Sequence, residues 1–163
     1  MARRTEAPEA LAPAEVHRER VYLHAGQIFA TSEPCEVSTV LGSCVGVVLI
    51  DGARRVGGAS HYLLPYDGGG SPRYGNGAIT TLVARTIALG SRKPDLVAKV
   101  FGGSSILSQV RPERPSLGAQ NVEVARRRLA EEGIAIVAED VGGFVGRKVV
   151  FLTDCGQVWV KRL

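Results

Sequence analysis

The chain has 163 residues, 45% of them apolar and 22% charged, the composition of one globular domain with a real core rather than of a disordered or fibrous chain. Its formal charge of +4 arises outside the first twenty residues, and no Lys/Arg block with interleaved aromatics marks a nucleic-acid surface. No apolar run reaches the ~18 residues of a spanning helix, so membrane insertion is not expected.

Residues 1–19 are rich in Ala, Pro, Glu and Arg without an apolar signal core. They read as a flexible extension rather than a secretory signal, ahead of a single domain over 20–163. The stretch "VYLHAGQIF" (21–29) suggests a first strand with a Gly-containing turn inside it. Next come "VSTVL" (37–41) and "VGVVLI" (45–50), separated by Gly42-Ser43-Cys44. Glycine inside a strand pattern marks a bulge or a close backbone approach, so Gly42 is expected to bend the strand and present Cys44. Asp51-Gly52 is a turn signal, and "VGGASHYLL" (56–64) returns as strand. A hairpin with Cys44 on one arm and His61 on the other is therefore predicted.

Residues 65–77, "PYDGGGSPRYGNG", read as a mobile loop. From Ala78 the period changes, with Ile79, Leu82, Val83, Thr86 and Ile87 on one face of a helix that Gly90 ends. A strand over 96–101 closes on Gly102-Gly103. The second helix is predicted over 121–132, with Asn121 as N-cap, Val122, Ala125 and Leu129 inward and Gly133 as the stop. Its run Arg126-Arg127-Arg128 reads as a solvated face. Strands over 134–139, 148–153 and 157–161 follow, the last two joined by Asp154-Cys155-Gly156. The order favours an α+β fold with helices on one face of a mostly antiparallel sheet.

Three cysteines, Cys35, Cys44 and Cys155, are an odd number without C-x-x-C spacing. This argues against a disulfide framework and fits a reducing cytoplasm. Cys44 and His61, on adjacent arms, could form a nucleophilic pair in which the imidazole promotes the thiolate. Backbone N–H groups at Ser43 and Cys44 could then hold the oxyanion of an attacked carbonyl. Spacing alone leaves open a buried structural cysteine and a structural histidine. A zinc site from Cys35, Cys44, His61 and Cys155 lacks the short ligand spacing such sites show, so no metal is expected. "GGGSPRYGNG" lacks the Lys-Ser/Thr of a phosphate cradle.

The segments "TVLGSCVGVVLID", "GGASHYLLP", "KVFGGSSIL", "GAQNVEVARRRL", "AEDVGGFVGRKVVF" and "GQVWVKRL" occur in this order from residue 39 to the end. Together they resemble the chemoreceptor glutamine deamidase family CheD. The resemblance implies a three-layer α/β/β sandwich with two main helices on one face. It implies Cys44 as nucleophile, His61 as its partner, and a hydroxyl residue six positions before the cysteine, which falls on Ser38 with Thr39 beside it. The family's typical residue there is threonine, so Thr39 stands as the alternative. It also implies a cytoplasmic protein-glutamine glutaminase acting on the cytoplasmic helices of methyl-accepting chemotaxis receptors, possessing no cofactor and recruited to receptor arrays. Arg73 and Tyr74, in the loop after His61, are the candidate receptor contacts. The rival reading is a regulatory module, non-catalytic or with a dual role, that binds the receptor or a CheC-type phosphatase.

Overall fold

A computed structural model describes residues 16–105 and 113–163. Among these residues nine strands form two sheets. The first orders β1 (Glu19–Tyr22), β3 (Cys35–Leu41), β8 (Arg147–Leu152) and β9 (Val158–Arg162). The second orders β2 (Ile28–Thr31), β5 (Val56–Tyr62), β4 (Val45–Asp51), β6 (Val97–Gly102) and β7 (Ala135–Val141). Only β1–β3 and β6–β7 pair in parallel. Helices α1 (Gly75–Ala88) and α2 (Leu117–Glu131) cover the outer face of the five-stranded sheet. The arrangement is the expected α+β fold in three layers, α/β/β.

Burial explains the strand sequences. β4 is buried at every position because helices cover one face and the other sheet covers the second. Val45, Val47 and Leu49 meet Ile79, Leu82 and Leu129 of the helices. Val48 and Ile50 meet Val37, Leu41, Val149 and Phe151 across the sandwich. β3 instead alternates, with Cys35, Val37, Thr39 and Leu41 inward and Glu36, Ser38 and Val40 toward the outside.

Several boundaries differ from the sequence reading. The segment 21–29 is not one strand, because its turn carries the chain from β1 in one sheet to β2 in the other. Likewise 37–41 and 45–50 belong to different sheets, so Gly42-Ser43-Cys44 is a crossover rather than a bend within one strand. Helix α1 begins at Gly75, inside the expected loop, and Arg73 O anchors that loop by accepting from the N–H groups of Leu63 and Leu64 at 2.9 and 3.2 Å. Ile87 is largely exposed rather than on the inner face of α1. Helix α2 starts four residues before the predicted N-cap. Its cap is Ser116, whose side chain accepts from Ala119 N–H at 3.1 Å, and Asn121 lies buried inside the helix. Residues 1–15 of the expected N-terminal extension lie outside the described residues; Arg18 forms a two-pronged ion pair with Asp154 and Glu19 opens β1.

Candidate active site

β4 and β5 form the predicted hairpin, in the register Val45↔Tyr62 and Gly46↔His61. Opposed residues of an antiparallel pair share a face, so His61 stands on the face of Gly46, and Cys44, two residues before Gly46, extends the same row. That face looks into the space between the sheets, where Cys44 packs half-buried against the inter-sheet cluster. A Cβ on Gly46 would stand 3.1 Å from Leu41 Cδ1, so the glycine makes room for that leucine, and the His61 imidazole reaches across the sandwich.

It reaches Thr39. Thr39 Oγ1 lies 2.7 Å from His61 Nδ1 and also donates to Leu23 O at 2.7 Å. A threonine hydroxyl has one hydrogen, and Leu23 takes it, so toward His61 the oxygen accepts. Nδ1 therefore carries the imidazole proton and Nε2 is left with a free lone pair. The His61 main chain is held too, donating to Gln27 O at 3.2 Å and accepting from Gly26 N–H at 2.7 Å. Ser38 makes no contact with His61; it lies on the opposite face of β3, opposite Val150.

Burial pushes the His61 pKa below the ordinary imidazole value, the Leu23 carbonyl opposes this, and the nearby His24 adds to it. Burial pushes the Cys44 thiol above its ordinary value, partly offset by its own backbone N–H. Both shifts favour a neutral thiol and a neutral imidazole in the resting protein, rather than the ion pair that the spacing suggested.

The crossover is clamped by its carbonyls. Gly42 O accepts from Ser104 N–H at 2.9 Å, Ser43 O from Asn121 Nδ2 at 2.9 Å, and Cys44 O from Gly103 N–H at 2.8 Å. The Ser43 N–H has no hydrogen-bond partner among the described residues, and the Cys44 N–H interacts only with its own sulfur. Preorganised amide donors of this kind suit a developing oxyanion.

Arg73 is exposed and Tyr74 half-buried at the start of α1. A Cβ placed on Gly26 would stand 3.3 Å from Arg73 Cγ, so Arg73 lies over the turn that braces His61. Beside it, Tyr22, His24, Gln27, Phe29, Pro72 and Arg85 line an open hollow of roughly 540 Å³. Sequence reasoning missed Asn121 as part of the site, although its position four residues before the inward Ala125 was a usable signal.

Fold and site define an α/β/β sandwich with Cys44 and His61 on one inter-sheet face. Among solved structures, YlmD from Geobacillus stearothermophilus has a similar fold, with a TM-score of 0.50 and 12% identity over 71% of this chain and 50% of that one. The chain thus spans half the length of that protein. A family model described as CheD chemotactic sensory transduction matches residues 63–162. A protein of Anaeromyxobacter dehalogenans named "Probable chemoreceptor glutamine deamidase CheD 1" is 46% identical over 96% of both chains. Similarly named proteins of Sulfurimonas denitrificans and Trichlorobacter lovleyi are 41% and 42% identical over 88% of this chain and 94% and 90% of theirs. This chain belongs to the CheD family.

Proposed function

We propose that this protein is a cysteine-dependent glutaminase that converts glutamine side chains of methyl-accepting chemotaxis receptors to glutamate in the cytoplasm, tuning adaptation. The observation that carries the reading is the Cys44 crossover, its carbonyls clamped and its amides bound to no other residue among those described, on the same inter-sheet face as a His61 whose tautomer leaves Nε2 unprotonated. Relatives named as chemoreceptor glutamine deamidases supply the substrate class.

Cys44 Sγ attacks the carboxamide carbon as His61 Nε2 takes the thiol proton. The amides of Ser43 and Cys44 receive the oxyanion. Collapse breaks the C–N bond, and His61 returns the proton to the leaving nitrogen, which departs as ammonia from a thioester. His61 then deprotonates a water that attacks the thioester, and protonates the departing sulfur as glutamate leaves. Thr39 holds the ring throughout. Arg73, over the turn that braces His61, and Tyr74 at the start of α1 are assigned to receptor contact.

The test is the intact mass of a receptor cytoplasmic fragment incubated with the protein. Each deamidation adds about one dalton, since N–H₂ is exchanged for O–H. A mass gain that peptide mapping places on glutamine supports the reading, whereas binding with no gain would move the protein to the class of receptor-bound adaptors.

Thr39→Val is expected to lower kcat about 10–100-fold, the rate equivalent of losing one buried hydrogen bond that fixes the base. Thr39→Ser retains most activity, and Ser38→Ala stays near the parental rate. A loss in Ser38→Ala with none in Thr39→Val would return the hydroxyl role to Ser38.

The rate should also report the depressed His61. Its acid limb is expected below the ordinary imidazole pKa of about 6.5, with a level rate above it up to about pH 8.5, because the raised thiol does not ionise in that window. Stability carries the same sign. Below pH ~6.5 the unfolded chain binds a proton that native His61 does not, so stability falls as pH drops toward the depressed value. A rate that climbs continuously through pH 7.5–9 with thiol ionisation would show that the preformed thiolate is the reactive species.

A further inference from the structure

Asn121 is fully buried in α2, yet its side chain serves the hairpin rather than the helix. Its Nδ2 donates both hydrogens, one to Ser43 O and one to Leu63 O, each at 2.9 Å. Ser43 precedes the candidate nucleophile and Leu63 follows His61 by two residues, so one amide ties the two arms together. Its own carbonyl accepts from the buried Tyr62 hydroxyl at 2.5 Å, which fixes the helix against β5. Meanwhile Asn121 Oδ1 is buried without a hydrogen-bond partner among the described residues. A buried orphan acceptor is unfavourable, so what favours an asparagine here is its pair of donor bonds to Ser43 O and Leu63 O, which an apolar side chain would leave unmade.

We propose that Asn121 is a positioning residue that aims the Cys44 amide at the oxyanion. The inference rests on the reading of Cys44 as nucleophile. Ser43 C=O and Cys44 N–H belong to one peptide unit, and no peptide bond in the described residues is cis. In a planar trans unit the two groups point in opposite directions. Drawing the Ser43 carbonyl toward α2 therefore turns the Cys44 N–H away from α2, where, its own sulfur apart, it meets no acceptor among the described residues. The Ser104 N–H does the same for the preceding unit through Gly42 O, and so directs the Ser43 amide. The asparagine is required because it alone combines two donors on one nitrogen with this reach. Aspartate would set a carboxylate against two carbonyls.

Two reactions of Cys44 separate this role from general support. Deamidation passes through an oxyanion, whereas alkylation by iodoacetamide is a displacement at carbon that forms none. Asn121→Ala is expected to lower kcat for a receptor fragment by about 100-fold, the usual loss of one oxyanion donor, with KM and the Cys44 alkylation rate within about threefold of parental. Asn121→Asp should match it. If these variants do not melt cooperatively, Asn121→Gln keeps both donors on a longer arm, and the same split of kcat from alkylation is expected at about tenfold. Equal losses in deamidation and alkylation, or a kcat unchanged from parental, would overturn the role. Cys44→Ala run alongside keeps the two readings apart. If it still deamidates, the nucleophile assignment fails; if it is inert while the Asn121 variants show no split, only the Asn121 inference fails.

Discussion

Cys44→Ala is expected to leave no measurable deamidation, a loss of about four orders of magnitude or more, while the protein folds as before. The size follows from the role: without a nucleophile there is no thioester, and only the oxyanion donors and substrate binding remain to assist water. Fold retention follows from placement. Cys44 is half-buried at the rim of the inter-sheet cluster, and its crossover is held by main-chain carbonyls and not by its sulfur. Removing one sulfur there should cost about 1 kcal/mol, or a few degrees in Tm. The receptor fragment should gain no mass with this variant, and its thermal melt should remain cooperative. Mass gain at the parental rate would show that another group performs the attack.

The hairpin that carries this chemistry was legible from short-range signals alone. Asp51-Gly52 marked the turn, but a two-residue turn there would set His61 opposite Gly42; the loop instead runs over residues 52–55, which sets His61 opposite Gly46. What stayed hidden was sheet membership. A five-residue apolar run reads the same whether its neighbour in sequence is its neighbour in the sheet or lies across a sandwich, so the crossover at 42–44 passed for a bend. The choice between Ser38 and Thr39 was in fact decidable from period 2. Thr39 shares parity with Val37 and Leu41, whose apolar side chains mark the buried face, whereas Ser38 shares it with Glu36. Asn121 was misread because asparagine is a favoured N-cap, and only tertiary contact with Ser43 and Leu63 reveals that its amide is spent elsewhere.

The same long-range contacts make Gly102 the position where fold and site fail together. Gly102→Ala is expected to destabilise the protein by about 3 kcal/mol or more, lowering Tm by roughly 6–12 °C. Two costs combine. Gly102 has φ +98°, a backbone state costing a side chain about 1–3 kcal/mol. Its added Cβ would also stand 2.3 Å from Cys44 O, a backbone atom that can yield only by moving the crossover. That carbonyl is the one Gly103 N–H holds, and Gly102 is the register partner of Val45, so relief of the clash displaces Cys44 itself. Activity per folded molecule, measured well below the melt, should therefore fall more than about tenfold, in line with the sensitivity of attack geometry to small displacements. Gly142→Ala isolates the backbone term, since Gly142 has φ +78° with nothing within 4 Å of its added Cβ. It should lose about 1–3 kcal/mol and retain its specific activity. If the two variants melt within two degrees of each other and turn over equally, the contact between Gly102 and the Cys44 carbonyl does not hold the nucleophile in place.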